Sequence, residues 1–363
     1  MKTGCDDMKK IAVGLLALAL AACSSQQQPA ETSETLLPPI GGKRPVFDAA
    51  AESVAISGFN GNANVQRFID YEVQSGQFTR NELENFFGGV EYKGNIINIM
   101  NRPGTSRPWY EFRQANAGGT RVSAGRRFYA QNKGVIDAVA KSYGVPAEII
   151  VAIVGIETNY GTNMGSFRVA DSLSTLAFDY PRRAEFFQKE LNEFLLMTKA
   201  EKRDVYSFKG SYAGAMGMPQ FMPSSFRKYA VDYDGDGFHD IWNNVGDVAA
   251  SVANYMKAHG WQTNGKMVVP VTLTINQELQ GIIDEKTALT RTVADFKRLG
   301  VQPQEVVGGH EKAILYRLET SPGVYEYYLG LTNFYAVWQY NHSRMYVTAV
   351  RDIANGVSGD YRL

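Results

Sequence analysis

Glu157 is the residue of this 363-residue chain best placed to do chemistry. It closes the run "IIVAIVGIE", in which Ile149 to Ile156 are all apolar or glycine. A carboxylate against apolar neighbours costs free energy unless it is paired or used. Desolvation disfavours its charged form, so it holds its proton to higher pH. A carboxylic acid protonated near neutrality can protonate a leaving oxygen, as the acid of a glycosidase does. Two blander readings remain open on these residues alone: a carboxylate that caps its surroundings, or a surface residue just past a buried helix. The following "TNYGTNMG" supplies polar side chains, an aromatic and two glycines, which suits a groove wall where a sugar chain approaches the backbone.

A second cluster is "DYDGDGFHDIWNN", starting at Asp232. Asp232, Asp234 and Asp236 occupy positions 1, 3 and 5 of an EF-hand-like loop, Gly237 position 6, and Phe238 would offer its carbonyl at position 7. Hard oxygens in this order suit Ca²⁺ rather than softer metals. Position 12 is Asn243 instead of the usual bidentate Glu, and Asp240 at position 9 is placed to ligate through water. The alternative is an Asp/Gly turn that needs no ion. His239, His259, His310 and His342 are scattered without helical metal spacing, which argues against catalytic zinc.

The elements that position these residues read as α+β, mainly helical. From about Phe59 to Gln131 the chain is helical, with Thr79 and Glu82 as a capping-box pair; "NRPGTSRPWYEFRQANAGGTR" interrupts it as a long loop. Val135, Ile136, Val139, Ala140 and Tyr143 make a helical stripe that Gly144 stops, and Pro146 suits the first turn of the helix leading to Glu157. Another helix is expected near Pro181 behind Asp179 as a cap, and another from near Asp247 to Gly260. "GFHDIW" reads as strand-like. After Trp261 the texture turns to β, with "SPG" at Ser321 as a hairpin turn and Gly300 stopping a short helix.

The N-terminus carries "MKK" and then the twelve-residue apolar run Ile11 to Ala22, too short to span a bilayer as a stable helix. It ends in "LAAC", a bacterial lipoprotein pattern with cleavage before Cys23 and lipid on that residue. Acidic residues upstream make Met8 a candidate start. Cleavage would remove Cys5 and acylation would consume Cys23, leaving no thiol for a disulfide or a nucleophile. Ser24 rather than Asp after Cys23 favours the outer membrane. Ser24 to Pro45 is a polar, Pro/Gly-rich tether spanning about 25 Å as a flexible coil. Lys and Arg number 37 and Asp and Glu 37, so bulk electrostatics give no reason to expect nucleic acid as a partner.

Four segments, "GIETNYGTNMG", "GSYAGAMGMPQFMPSSFRKYAVDYDGDG", "SVANYMKAHGW" and "QYNHSRMY", together resemble the lytic murein transglycosylase B family of membrane-bound lipoproteins. The resemblance runs from about Phe59 to the C-terminus. It implies a lysozyme-like core at 134–262 with the EF-hand-like loop, a flanking helical domain at 59–133, a small β-rich domain at 263–334 and a return to the core at 335–363, after a signal at 1–22 and a tether at 23–58. It implies peptidoglycan glycan strands as substrate, a muramyl C6 hydroxyl as nucleophile, and Glu157 as acid and then base. Its glycan-binding positions match Arg182, Arg183, Ser211, Gln220, Tyr255, Tyr340, Asn341 and Tyr346, although Tyr255 by periodicity alone is a core residue. Phe186 stands where some relatives have Tyr. The family closes its calcium loop with a later Asp, here Asp247. An outer-membrane lipoprotein facing the periplasm, with proteins of cell-wall synthesis as further partners, is the cellular setting the resemblance suggests. A water-using muramidase and a non-catalytic peptidoglycan-binding lipoprotein are the alternatives.

Overall fold

Residues 46–47, 53–102 and 107–359 are described by a computed structural model of the chain. The expected signal segment, Cys23 and most of the expected tether lie outside the described residues. The described chain opens with the helices α1 (Val54–Ser57), α2 (Ala63–Gln74), α3 (Arg80–Gly88), α4 (Gly94–Met100) and α5 (Trp109–Asn116). Asn62 caps α2 by accepting from the amides of Asn64 and Val65. Thr79 and Glu82 make both halves of the expected capping box on α3, satisfying donors that a helix start leaves orphaned. Helix α5 corrects the reading of that stretch as loop. Pro108 precedes it with φ preset at −66°, and Trp109 and Phe112, three apart, bury one face.

Helix α6 (Gly119–Tyr143) runs on through residues 133 and 134, with non-helical angles only at Asn132, and ends at Gly144 in the left-handed region (φ 70°). Helix α7 (Ala147–Thr158) follows, buried continuously from Ile149 to Gly155. A helix apolar all round belongs inside a protein, and α6 and the last helix enclose this one.

Strand β1 (Phe167–Arg168) leads into α8 (Val169–Asp179), a 3₁₀ turn at Pro181–Arg183 and α9 (Ala184–Glu201). Asp179 is the last residue of α8 and accepts a 2.5 Å hydrogen bond from the Tyr92 hydroxyl; it caps nothing on α9. Strand β2 (Lys209–Gly210) pairs antiparallel with β1. Helices α10 (Pro223–Tyr229) and α11 (Val245–Ala258) complete this part, with Asn244 capping α11. The segment "GFHDIW" is bends and turns, not strand: its backbone amides donate to aspartate and glutamate side chains and to carbonyls within the segment instead of to a neighbouring strand.

Beyond it lie β3 (Val268–Thr272), α12 (Gln277–Asp284), β4 (Arg291–Thr292), α13 (Val293–Arg298), β5 (Gln302–Pro303), β6 (Lys312–Ser321) and β7 (Val324–Gly330). They form an antiparallel sheet in the order β4-β6-β7-β3-β5. The β6–β7 hairpin turns at Pro322–Gly323, where Gly323 takes φ 74°. Strand alternation sends Val269, Leu315 and Leu329 to a small core with Ile282 and Phe296, and Ile314, Tyr316 and Tyr328 to the main core. Helices α14 (Thr332–Tyr340) and α15 (Arg344–Ser358) bring the chain back, and α15 packs along α7. Among the described residues no single helix is long and apolar enough to cross a membrane.

Candidate active site

Glu157 sits in the last turn of α7, where the helix gives way to left-handed Asn159 (φ 50°) and Tyr160 (φ 60°). This end is locked in place. The Asn159 amide donates to the Gly155 carbonyl at 3.0 Å, and the Thr158 hydroxyl donates to the carbonyl of Met218 at 3.0 Å. The Tyr346 hydroxyl, reaching from α15, donates to Oε1 of Glu157 at 2.7 Å. Burial pushes the Glu157 carboxyl up from 4.5 to about 7, and the Tyr346 hydrogen bond holds it down against that. The negative end of the α7 dipole also favours the neutral acid. The proton that the apolar run predicted is therefore held near neutrality.

Glu157 opens into a cleft of about 220 Å³. Arg183, Ser211, Gln220, Tyr340, Asn341 and Tyr346 line it too, so distant stretches of sequence converge on one site. Ser211 and Gln220 are held by a tight loop after β2. The Ser211 amide donates to Ala215 O at 2.8 Å and Met216 exchanges backbone hydrogen bonds with Phe221. Oγ of Ser211 accepts from the amides of Ala213 and Ala215. Gln220 is left-handed (φ 52°), and its Nε2 donates to Gly217 O at 3.0 Å and Met164 O at 3.2 Å, which leaves its oxygen for the cleft. Tyr340 donates to Pro219 O at 2.5 Å. The guanidinium of Arg183 lies 4.2 Å from the ring centre of Phe186, another lining residue.

Two predicted residues are not in the lining. Arg182 is exposed at the 3₁₀ turn. Tyr255 is buried behind the cleft, its ring edge-on to Tyr340 at 4.7 Å and its hydroxyl donating to Gln339 O. The structure adds lining residues that sequence reading passed over: Phe112 and Asn116 from α5, with Phe187, Tyr212 and Met222. Glu157 is the only carboxyl among the described residues of the lining.

The acidic loop brings Asp232, Asp234 and Asp247 together, one oxygen of each lying within 4.8 Å of the others. Asp247 is fully buried, and burial first, then the charges of Asp234 and Asp232, raises its carboxyl above the ordinary value. A hard cation would relieve that repulsion, so the donor set fits one. Asp236 is not in this trio; its Oδ1 accepts from the Phe238 amide at 2.8 Å. Asp240 likewise serves the backbone, accepting from Trp242 and Asn243.

A mainly helical body with a small antiparallel sheet frames a cleft that holds one raised carboxyl, an arrangement suited to acid-assisted cleavage of a glycan. The chain belongs to the transglycosylase SLT domain family, which matches residues 60–355. It is 38% identical over 355 residues to membrane-bound lytic murein transglycosylase B of Escherichia coli K12, covering 94% of this chain and 96% of that protein. Among solved structures it superposes on lytic transglycosylase SltB1 of Pseudomonas aeruginosa with a TM-score of 0.79 and 39% identity, over 83% of this chain and 99% of that one. The Escherichia coli lytic transglycosylase Slt35, solved in complex with calcium, gives a TM-score of 0.73 and 37% identity over 83% and 94% of the two chains.

Proposed function

We propose that the chain is a lytic transglycosylase of peptidoglycan that cuts the β-1,4 bond from N-acetylmuramic acid to N-acetylglucosamine with Glu157 as acid and then base. Protonated Glu157 gives its proton to the glycosidic oxygen as the C1–O bond breaks. The 2-acetamido group of the muramyl unit steadies the positive charge at C1, as in substrate-assisted glycosidases. The muramyl C6 hydroxyl then attacks C1, its proton passes to the Glu157 carboxylate, and a 1,6-anhydro ring is left. No water is consumed and the acid is regenerated. The observation that carries this reading is the single carboxyl among the described residues of the lining: none of them offers the second carboxylate that the schemes of ordinary glycosidases use. The hydrogen bond from Tyr346 steadies the carboxylate between the two steps. Arg183, Ser211, Gln220, Tyr340 and Asn341 hold the glycan.

Ca²⁺ fits as a structural ion held by Asp232, Asp234 and Asp247, fixing the segment before α11. Lipid on Cys23 anchors the enzyme to the outer membrane, and the tether lets the body reach the periplasmic peptidoglycan. Glu157→Gln tests the assignment of the acid. Turnover of sacculi is lost while sedimentation with them is kept; an active variant refutes the role.

A further inference from the structure

We infer that Asn116 is a substrate-contacting residue whose amide oxygen accepts a hydrogen bond from a donor-only group of the glycan, an acetamido N–H. This deepens the proposed reading and rests on it. Asn116 is the last residue of α5 and only 6% exposed, and what it exposes faces the cleft beside Phe112. Its Nδ2 donates to the Phe112 carbonyl at 3.0 Å. A carbonyl can only accept, so the amide cannot be turned the other way, and Oδ1 is committed to the other side. Among the described residues nothing donates to Oδ1. A nearly buried acceptor left open in a cleft wall has a substrate donor as its partner once water is displaced.

The chemistry of the polymer narrows that donor. Sugar hydroxyls can donate or accept, and so can be satisfied by either kind of protein group. An acetamido N–H can only donate, and left facing apolar Phe112 without an acceptor it would lose its hydrogen bond on binding. Asn116 supplies that acceptor on the α5 wall. The consequence is selectivity for N-acetylated glycan at the sugar that passes α5.

The full-length protein in detergent, with the release of muropeptides from purified sacculi as readout, separates this role from a structural one. Asn116→Ala removes both the oxygen and the bond to Phe112. Asn116→Ser keeps a bond to the Phe112 carbonyl, since a helix serine bonds back to the residue four earlier, but removes the reach of the oxygen. Both variants are expected to lose about tenfold in kcat/KM, mainly through KM, in line with one hydrogen bond, while Asn116→Ser keeps the wild-type melting temperature. Asn116→Ser with wild-type kcat/KM overturns the inference, because the bond to α5 would then be all that matters. Wild-type protein that releases no anhydro-muropeptides refutes the parent reading instead, so the two failures are distinct.

Discussion

A carboxyl raised to about 7 by burial ties activity and stability to pH in ways that can be separated. In the proposed mechanism the first step needs the protonated acid, so turnover is expected to fall as pH rises through about 7. Stability moves in the same direction. The native state binds the proton more tightly than the unfolded chain, so the contribution is full below about 4.5 and is lost as pH rises to about 7. The Glu157→Gln variant lacks this loss, and at pH 8 urea unfolding finds it more stable than wild type by about 3 kcal/mol. A stability difference between wild type and Glu157→Gln that is the same at pH 5 and pH 8 would contradict the raised carboxyl. Tyr346→Phe removes the hydrogen bond that favours the carboxylate, so the alkaline limb of the pH–rate profile moves up. A limb that moves down would mean that Tyr346 does not steady the charged form. At this scale the sequence was informative wherever a residue broke a pattern. Glu157 stood out because eight apolar or glycine residues precede it, and six of the eight glycan positions placed by family resemblance, Tyr346 and Gln220 among them, line the same cleft, while Arg182 and Tyr255 do not. Phe112 and Asn116 break no pattern, since an aromatic and an amide near Pro and Gly carry no local sign that they face a cleft.

Helix α7 is held at its active end by close packing rather than by a side-chain cap. A Cβ on Gly155 would come within 2.5 Å of the Tyr160 ring and hydroxyl, and that hydroxyl is fixed by its bond to Arg121 O. Alanine in a helix interior is usually worth up to about 1 kcal/mol over glycine. Here overpacking outweighs it, and Gly155→Ala costs about 1–3 kcal/mol in urea unfolding and displaces the turn that carries Glu157. A stabilised Gly155→Ala protein would show that the turn is looser than described. Helix ends with chemical signatures were legible: the Thr79–Glu82 box, the Gly144 stop and the Gly323 turn all form. Asp179 misled because its carboxylate has a stronger use, the Tyr92 hydroxyl. Helix α5 was hidden because proline and glycine upstream mask eight residues whose burial comes from tertiary contacts with α15 and β6.

On the scale of the molecule, the small sheet is tied to the catalytic body at the root of α15. Arg344 donates to the carbonyls of Ile283 and Glu285 and to the hydroxyl of Thr287, and α15 two residues later presents Tyr346 to Glu157. The sheet's β texture was readable, but which face met the body was not, since both faces of β6 are apolar and buried from Ala313 to Tyr316. The acidic loop acts at the same scale, bracing the start of α11. Added Ca²⁺ raises the melting temperature, and Asp232→Ala or Asp247→Ala removes the effect; a melt insensitive to chelator contradicts the site. Digestion of sacculi in ¹⁸O-labelled water followed by mass spectrometry shows where the nucleophile comes from. If the glycan supplies its own nucleophile, every new muramyl end is one water lighter than a hydrolysed end and carries no label. New reducing ends that carry ¹⁸O at C1 would mean that water is the nucleophile and that Glu157 serves a hydrolase.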